Sequence, residues 1–411
     1  MIDNKTVIPE DWAENQLGTL IVEKPKSAIK VSEAANFGEF PFFTSGESIL
    51  LHDKKIIEGA NLFLATGGCA NVKFYEGNAA YSTDTFVITT NDKTNANFLY
   101  YYILNSIGYI NKNYFEGSGL KHLQKKDFRQ HVIYLPISTE EQRQIASILS
   151  KLDEAIAQTE QLIEKYKQIK MGLMHDLLTR GIDEQGNIRS EETHKFKDSA
   201  LGRIPVDWEC EEIGEVCYVT KLSGFEFTKY MEYREDGEII ALRAMNIKNE
   251  QLILDDVQRI SKEVSDFLVR SKIYSGDILI TYIGAYIGDI VQIKENNKYH
   301  LAPNVAKIVA GNKLNSNFLE FMLRSAHVQR FIKSLVTTTA NPSLTMGQIR
   351  TSYIIYPKDQ NEQNIISDKL LSLNKFIKEL SHDLDKLKLQ KSGLMHDLLS
   401  GKVRVNNQKI V

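Results

Sequence analysis

The chain is written twice, and no other feature of its 411 residues constrains the fold as much. Ile8-Pro9-Glu10-Asp11-Trp12, with Leu17-Gly18 behind it, returns 196 positions later as Ile204-Pro205-Val206-Asp207-Trp208 with Ile213-Gly214, and these are the only two tryptophans. From Pro136 and Pro357 a second match runs at a step of 221. Glu141-Gln142, Ile145, Leu149 and Leu152 recur as Glu362-Gln363, Ile366, Leu370 and Leu373, and the match continues to Gly172-Leu173-Met174-His175-Asp176-Leu177-Leu178, repeated identically at 393–399. Asn97-Phe98-Leu99 recurs as Asn317-Phe318-Leu319 at a step of 220. The second copy therefore holds 25 additional residues, nearly all between Gly214 and Asn317. Two domains share a frame and differ in what it holds, as parallel jobs on different targets require.

Each copy ends in a long helix. Apolar positions at 145, 149, 152, 156, 163, 166, 173 and 177 alternate in steps of four and three, broken by Thr159 and Lys170. The second seam is Ile366, Leu370, Leu373, Ile377, Leu380, Leu384, Leu387, Leu394 and Leu398, with Lys391 matching Lys170. At 1.5 Å per residue each seam makes a rod of roughly 50 Å. A two-fold relation between the copies makes the rods antiparallel, with one globular domain at each end, and Lys170 and Lys391 reach water from the seam. Ser138-Thr139-Glu140-Glu141 reads as a helix start, and Gly181 and Gly401 read as helix stops.

The expected fold class is α+β: two mixed α and β domains separated by two long antiparallel coiled-coil helices, related by a pseudo-two-fold internal repeat. Residues 1–137 form the first domain, 138–180 the first spacer helix, 181–203 a linker, 204–357 the second domain, 358–401 the second spacer helix and 402–411 a tail. Strand-like runs at 80–89, 277–282 and 300–309 and short helical patterns around Phe98 and Phe318 fill the domains.

Composition excludes several functions. The first ten residues are polar and no apolar run is long enough to cross a bilayer, which places the chain in the cytoplasm with no membrane partner. Cys69, Cys210 and Cys217 lack CxxC spacing and read as small core residues. A formal charge of −3 gives nucleic-acid binding no overall support, so any basic surface must be local. Residues 301–357 carry six basic side chains against Glu320 alone. In the matching 80–136, most basic residues crowd between Lys112 and Arg129. Small polar residues accompany both segments, Gly117-Ser118-Gly119 in one and Thr339-Ala340-Asn341-Pro342-Ser343 in the other. A solvated face explains any one such run, whereas recurrence in both copies fits phosphate contact.

The candidate DNA-binding residues are Lys112, Ser118, Lys121, Lys125, Lys126 and Arg129 in the first copy. In the second they are Tyr282, Tyr286, Arg330, Lys333, Asn341, Ser343 and Arg350. Tyr114, Phe115, Tyr282 and Tyr286 are either core or base-facing. Gly67-Gly68 and the Gly284, Gly288 pair match no nucleotide loop and read as bends in strands. No Asn-Pro-Pro-aromatic loop and no Gly-Lys-Ser/Thr phosphate loop is present. His175-Asp176 and His396-Asp397 are not catalytic pairs, because neighbours in a helix point about 100° apart. No catalytic, cofactor-binding or metal-binding residue is assigned.

Ile-Pro-x-Asp-Trp opening each half, Pro-x-x-x-x-Glu-Gln entering each helix and Gly-Leu-Met-His-Asp-Leu-Leu closing it resemble the specificity subunits of type I restriction-modification enzymes. Residues 196–203 resemble that family's linker. The resemblance covers nearly the whole chain. It implies two target-recognition domains that each read one part of a split site in double-stranded DNA, with the helices setting the distance between parts. It also implies docking of two methyltransferase subunits and of restriction and translocase subunits. S-adenosylmethionine, ATP and Mg belong to those partners, and this chain is non-catalytic. A self-contained DNA-modifying enzyme and a structural spacer without DNA binding are the alternatives. Shortening one helix by a full heptad should change the spacing between half-sites and leave the half-sites unaltered; mapping methylated adenines in a host genome reads both, and an altered half-site counts against the assignment.

Overall fold

The computed structural model describes residues 8–35, 37–336 and 342–405. The chain forms two compact units, one made of the residues up to Leu162 together with those from Leu380 onward, the other of Ile163–Glu379.

In the first unit a four-stranded antiparallel sheet runs in the order Ile21–Glu23, Thr85–Thr90, Ala60–Ala65, Val72–Glu76. Side-chain alternation divides its residues between two cores. Leu62, Leu64, Phe86 and Ile88 pack with Phe98 and Leu99 of the helix Ala96–Asn105. Phe63 and Val87 point the other way, onto Phe43 and Tyr81 of a three-stranded sheet, and the Phe43 and Phe63 rings stack with centroids 3.9 Å apart. That second sheet is Leu50–His52, Phe40–Phe43, Ala80–Tyr81, its last pair parallel. Both faces of Ala60–Ala65 are covered, which is why Leu62-Phe63-Leu64-Ala65 is a continuous apolar run.

The second unit repeats this topology strand for strand. Its four-stranded sheet is Cys217–Lys221, Val305–Ala310, Ile278–Thr281, Ile290–Gln292, and its three-stranded sheet is Gln258–Ile260, Ile239–Leu242, Tyr299–Leu301, again with the last pair parallel. The added length of this copy includes the hairpin Ile247–Lys248 with Gln251–Leu252 and the helix Lys262–Phe267. In both units the tryptophan strand pairs with the strand entering the long helix, Trp12 opposite Pro136 and Trp208 opposite Pro357.

The long helices are Thr139–Thr179 and Gln360–Leu399. Ile145, Ala146 and Leu149 from the start of the first share a core with Met395, Leu398 and Leu399 from the end of the second. In the other unit Leu177 and Leu178 share a core with Ile366 and Leu370. The repeated Gly-Leu-Met-His-Asp-Leu-Leu thus closes the domain that its own copy did not build. Within the first unit Asp153 pairs with Lys391 at 2.5 Å and Glu160 with Lys388 at 2.7 Å, and within the second the Tyr166 and Phe376 rings meet edge-on at 4.7 Å. Numbers rise on one helix as they fall on the other, so in each unit the helices run antiparallel. Lys170 and Lys391 differ from expectation: each is ion-paired instead of reaching freely to water. Lys170 meets Glu250 at 3.4 Å, and Lys391 also lies 5.7 Å from the centroid of the Tyr101 ring. Of the cysteines expected in cores, Cys217 is buried, Cys210 half-buried and Cys69 exposed.

The remaining repeated residues are explained by two polar motifs. Buried Gln142 accepts from the Asn95 N–H at 2.7 Å and donates to the carbonyls of Lys93 and Pro136 at 3.2 and 2.8 Å. Gln363 does the same with Asn315, Lys313 and Pro357 at 2.8, 2.9 and 2.9 Å. The second motif is an Asp–Arg–Glu clamp beside each tryptophan, bonded to the indole only in the second unit. Glu362 accepts from Arg189 at 2.5 and 3.0 Å, from the Ile182 N–H at 2.9 Å and from the Trp208 indole at 3.3 Å, while Arg189 also reaches Asp207 at 3.1 Å. In the first unit Arg404 donates twice to Glu141 at 2.8 Å and to Asp11 at 2.7 Å. The helix-stop glycines lie beside these clamps with left-handed φ of +65° at Gly181 and +75° at Gly401; a Cβ on Gly181 would overlap Glu362, and one on Gly401 would press on Pro9.

The clamps differ in burial, with side chains 10% and 6% exposed for Arg189 and Glu362 against 35% and 11% for Arg404 and Glu141. Arg189→Ala strands a buried carboxylate and should destabilise its unit by about 3–5 kcal/mol. Arg404→Ala should cost about 1 kcal/mol. Denaturant unfolding followed by Trp208 fluorescence in a Trp12→Phe background, and by Trp12 in the converse background, separates the two. His327 is held neutral because burial, aided by the positive charges of His175 and Arg330, lowers its pKa from 6.5 to about 4. The unfolded chain binds this proton and the folded chain does not. Stability therefore falls as pH drops from 6.5 toward 4, and His327→Asn should flatten that part of the profile.

Candidate nucleic-acid interface

In each unit the turn between the last two strands of the four-stranded sheet meets the segment that returns toward the long helix. In the first unit the turn is residues 66–71 and the returning segment is the hairpin Phe115–Glu116 with His122–Leu123. The backbones are stitched together: the Gly68 N–H donates to the Lys121 carbonyl at 2.9 Å and the Leu123 N–H to Thr66 at 3.0 Å, with Gly67 bridged to His122. In the second unit the turn is residues 282–289. The Gly284 N–H donates to Pro342 at 3.2 Å and the Leu344 N–H to Tyr282 at 2.8 Å, with Ile283 bridged to Ser343. Pro342, Ser343 and Leu344 stand 221 positions after Lys121, His122 and Leu123. One joint is thus built twice with different side chains. Gly68 at φ +82° and Gly284 at φ +100° supply the left-handed residue that each turn needs. These glycines, read from sequence as bends within strands, are the turns themselves.

This joint gathers Ser118 and Lys121 in the first unit and Tyr282, Tyr286 and Ser343 in the second; Asn341 lies outside the described residues. Ser118 and Lys121 are exposed. Tyr282 is 6% exposed and belongs to the hydrophobic core, with the Lys221 ammonium 5.0 Å from its ring centroid. Tyr286 is half-buried, its backbone carbonyl accepts from the Thr281 hydroxyl, and the Lys248 ammonium lies 5.6 Å from its ring centroid. Lys248 comes from the hairpin that the first copy lacks.

The other candidates sit on short helices near the joint. Lys112 is exposed in the last turn of Ile107–Asn113 and Lys126 is exposed on Lys125–Phe128, whereas the Lys125 ammonium lies 4.3 Å from the Phe86 ring centroid. Arg330 and Lys333 are exposed on Ala326–Ser334.

Arg129 and Arg350 recur for a reason the sequence did not disclose. The Leu17 N–H donates to the His131 carbonyl at 2.9 Å and the Ile213 N–H to Ser352 at 2.8 Å, which lays each arginine's Cβ against the glycine that follows. A Cβ on Gly18 or Gly214 would stand 3.1 or 3.0 Å from the Cβ of Arg129 or Arg350. The Arg129 guanidinium is paired with Glu23 at 2.6 and 3.0 Å, and that of Arg350 donates to the Val219 carbonyl at 2.9 Å. Their recurrence belongs to the frame.

Sequence reasoning missed Lys73, Lys221 and Lys248. Lys73 donates to the carbonyls of Thr44 and Gly46, and burial pulls its pKa below the ordinary lysine value. With Cys69 and Gly67 it lines a cleft of 720 Å³ beside the first joint. The loops that carry the joints give a surface of exposed backbone, lysines and small polar groups, suited to phosphate contact and to reading base edges. Among the described residues no group of three or more His, Cys, Asp or Glu side chains could hold a metal ion, and no helix is long and apolar enough to cross a membrane.

The family model of the type I restriction modification DNA specificity domain matches twice, at residues 9–168 and 205–389. The MjaVIII type I restriction enzyme specificity subunit of Methanocaldococcus jannaschii is 26% identical over 97% of this chain and 95% of its own length. The EcoBI specificity subunit of Escherichia coli is 24% identical over 67% of this chain and 58% of its own length. Among solved structures, the type I S subunit from M. genitalium aligns over 97% of both chains with a TM-score of 0.65 at 16% identity, which shows the same fold. With both copies matched over most of their length, this chain belongs to the type I restriction-modification DNA specificity family.

Proposed function

We propose that this chain is the non-catalytic specificity subunit of a DNA adenine methyltransferase and restriction complex, and that each unit reads one half of a split site in double-stranded DNA. The observation that carries the reading is the doubled joint: one backbone stitching, presented by one topology, with Ser118, Lys121 and His122 in the first unit against Tyr286, Lys248 and Ser343 in the second. A shared frame with unlike loops is what two readers of unlike sequences need. Exposed Lys112, Lys121, Lys126, Arg330 and Lys333 hold the phosphates, while turn residues reach base edges.

The long helices set the number of unread base pairs and dock two methyltransferase subunits, with restriction and translocase subunits joining them. Exposed Ile169, Met171 and Leu389 on these helices, at 39%, 57% and 73%, supply apolar contact area for that docking. S-adenosylmethionine, ATP and Mg act in the partners. The complex works in the cytoplasm.

The test is methylated-adenine mapping in a host that carries this chain and its methyltransferase subunit. Tyr286→Ala should relax the half-site read by the second unit, a loss of about 1–3 kcal/mol in discrimination, and leave the other half intact. Lys121→Ala should weaken DNA binding evenly across sequences and lower the salt slope of the assembled complex by about 1. Methyl transfer by this chain without a partner, or an unchanged methylation pattern after its deletion, overturns the proposal.

A further inference from the structure

In each unit one connection within the three-stranded sheet reaches the joint. It is residues 44–49 between Phe40–Phe43 and Leu50–His52 in the first unit, and residues 243–257 between Ile239–Leu242 and Gln258–Ile260 in the second. In the first, the Thr66 N–H donates to the Ser45 hydroxyl at 3.1 Å. In the second, the connection carries the hairpin Ile247–Lys248 with Gln251–Leu252, and exposed Lys248 holds its ammonium 5.6 Å from the Tyr286 ring centroid.

The turn of that hairpin is anchored from outside. Asn249 and Glu250 both have left-handed backbones, with φ of +49° and +65°. A two-residue hairpin turn takes this geometry, but its second position ordinarily holds glycine, because a Cβ is crowded there. The Glu250 carboxylate lies 3.4 Å from the Lys170 ammonium and 3.3 Å from the Arg324 guanidinium, and the Glu250 carbonyl accepts from Arg324 at 3.3 Å. Arg324, only 10% exposed, also donates to the Ile290 carbonyl at 3.2 Å and pairs with Glu320 at 2.9 Å. Ile290 directly follows the joint's turn, residues 282–289. One guanidinium thus ties the hairpin to the strand leaving the joint, and Lys170 ties it to the long helix.

The first unit lacks this tether. There Lys391 pairs with Asp153, whereas at the 221 step the second copy has Lys170 for Lys391 and uncharged Asn374 for Asp153. At the 220 step Arg324 corresponds to Leu104. The lysine is common to both copies, but in the second its acid comes from the added hairpin.

We infer that Glu250 is a positioning residue for the second half-site, holding Lys248 beside Tyr286 through its pairs with Lys170 and Arg324. The inference rests on the specificity-subunit reading. A lone two-stranded hairpin is marginal in water, and a recognition group must be held to within about 0.5 Å, so Lys248 needs its turn fixed.

The experiment measures methylation by the full chain, co-expressed with its methyltransferase subunit, on duplexes carrying the cognate site or one changed base in either half. Lys248→Ala should lower discrimination in one half only. Glu250→Gln should lower it in that same half, roughly fivefold, and should add nothing in a Lys248→Ala background. Glu250→Gly suits the left-handed turn, so it should lose the same discrimination with no fall in the thermal unfolding temperature. Lys170→Arg, which keeps the charge, should retain the discrimination that Lys170→Met loses. Removing a carboxylate also strengthens phosphate attraction in general, but that effect falls on both halves alike. Equal loss in both halves, a Glu250 effect that persists without Lys248, a loss that tracks lowered unfolding temperature in both Glu250 variants, or unchanged discrimination in Lys248→Ala or Glu250→Gln overturns the inference and leaves the specificity-subunit reading standing. A wild-type complex that methylates no split site overturns that reading and this inference together.

Discussion

The clamp at the end of each long helix is the contact on which the architecture depends. An arginine just past the helix stop bridges an aspartate beside the tryptophan and a glutamate in the first turn of the other long helix. Three stretches far apart in sequence are thereby held at one point, over an indole that buries a large apolar area. Each pairing alone is weak in water, but at Arg189 and Glu362 burial makes the geometry obligatory, since either charge left alone in the core is costly. The consequence is that neither domain is closed by its own copy. The first long helix starts in one core and ends in the other, and the second runs the reverse course.

That interlocking explains where repetition is strict and where it lapses. The aspartate and glutamate of the clamp, the glutamine bonds to the strand end and the helix-closing core repeat nearly letter for letter, because each performs one mechanical task twice, whereas the clamp's arginine comes from unlike positions, Arg189 and Arg404. Arg129 and Arg350 belong to this class. Their shared spacing looked like a shared DNA contact, but it follows from a backbone register that sets each arginine over a glycine. Identity between copies marks frame, and function is to be sought where equivalent positions differ.

The joints follow that rule. Their backbone bonds are conserved between copies and their side chains are not, so the frame presents a loop at a set place and leaves its chemistry free. The second copy adds a hairpin whose Lys248 reaches the joint, so the surface around that joint is built partly from residues with no counterpart in the first.

Much of the organisation was legible in the sequence. The duplication, the added length of the second copy, both long helices with their glycine stops and the antiparallel relation of their seams follow from spacing and periodicity, which are local or self-referential properties of a chain. The site was less legible. Lys121, Tyr286 and Ser343 were named from charge and composition, yet the turns they adjoin were read as bends, because the backbone pairing joins residues 53 to 62 positions apart and leaves no periodic trace. Lys170 and Lys391 were expected to reach water, and ion pairs hold them instead. Order, repeat and helix length are thus written in the sequence alone. Which charges are paired, which tyrosines are buried and which loops share a surface were decided only by tertiary structure, because each depends on a partner brought near by the packing of distant strands.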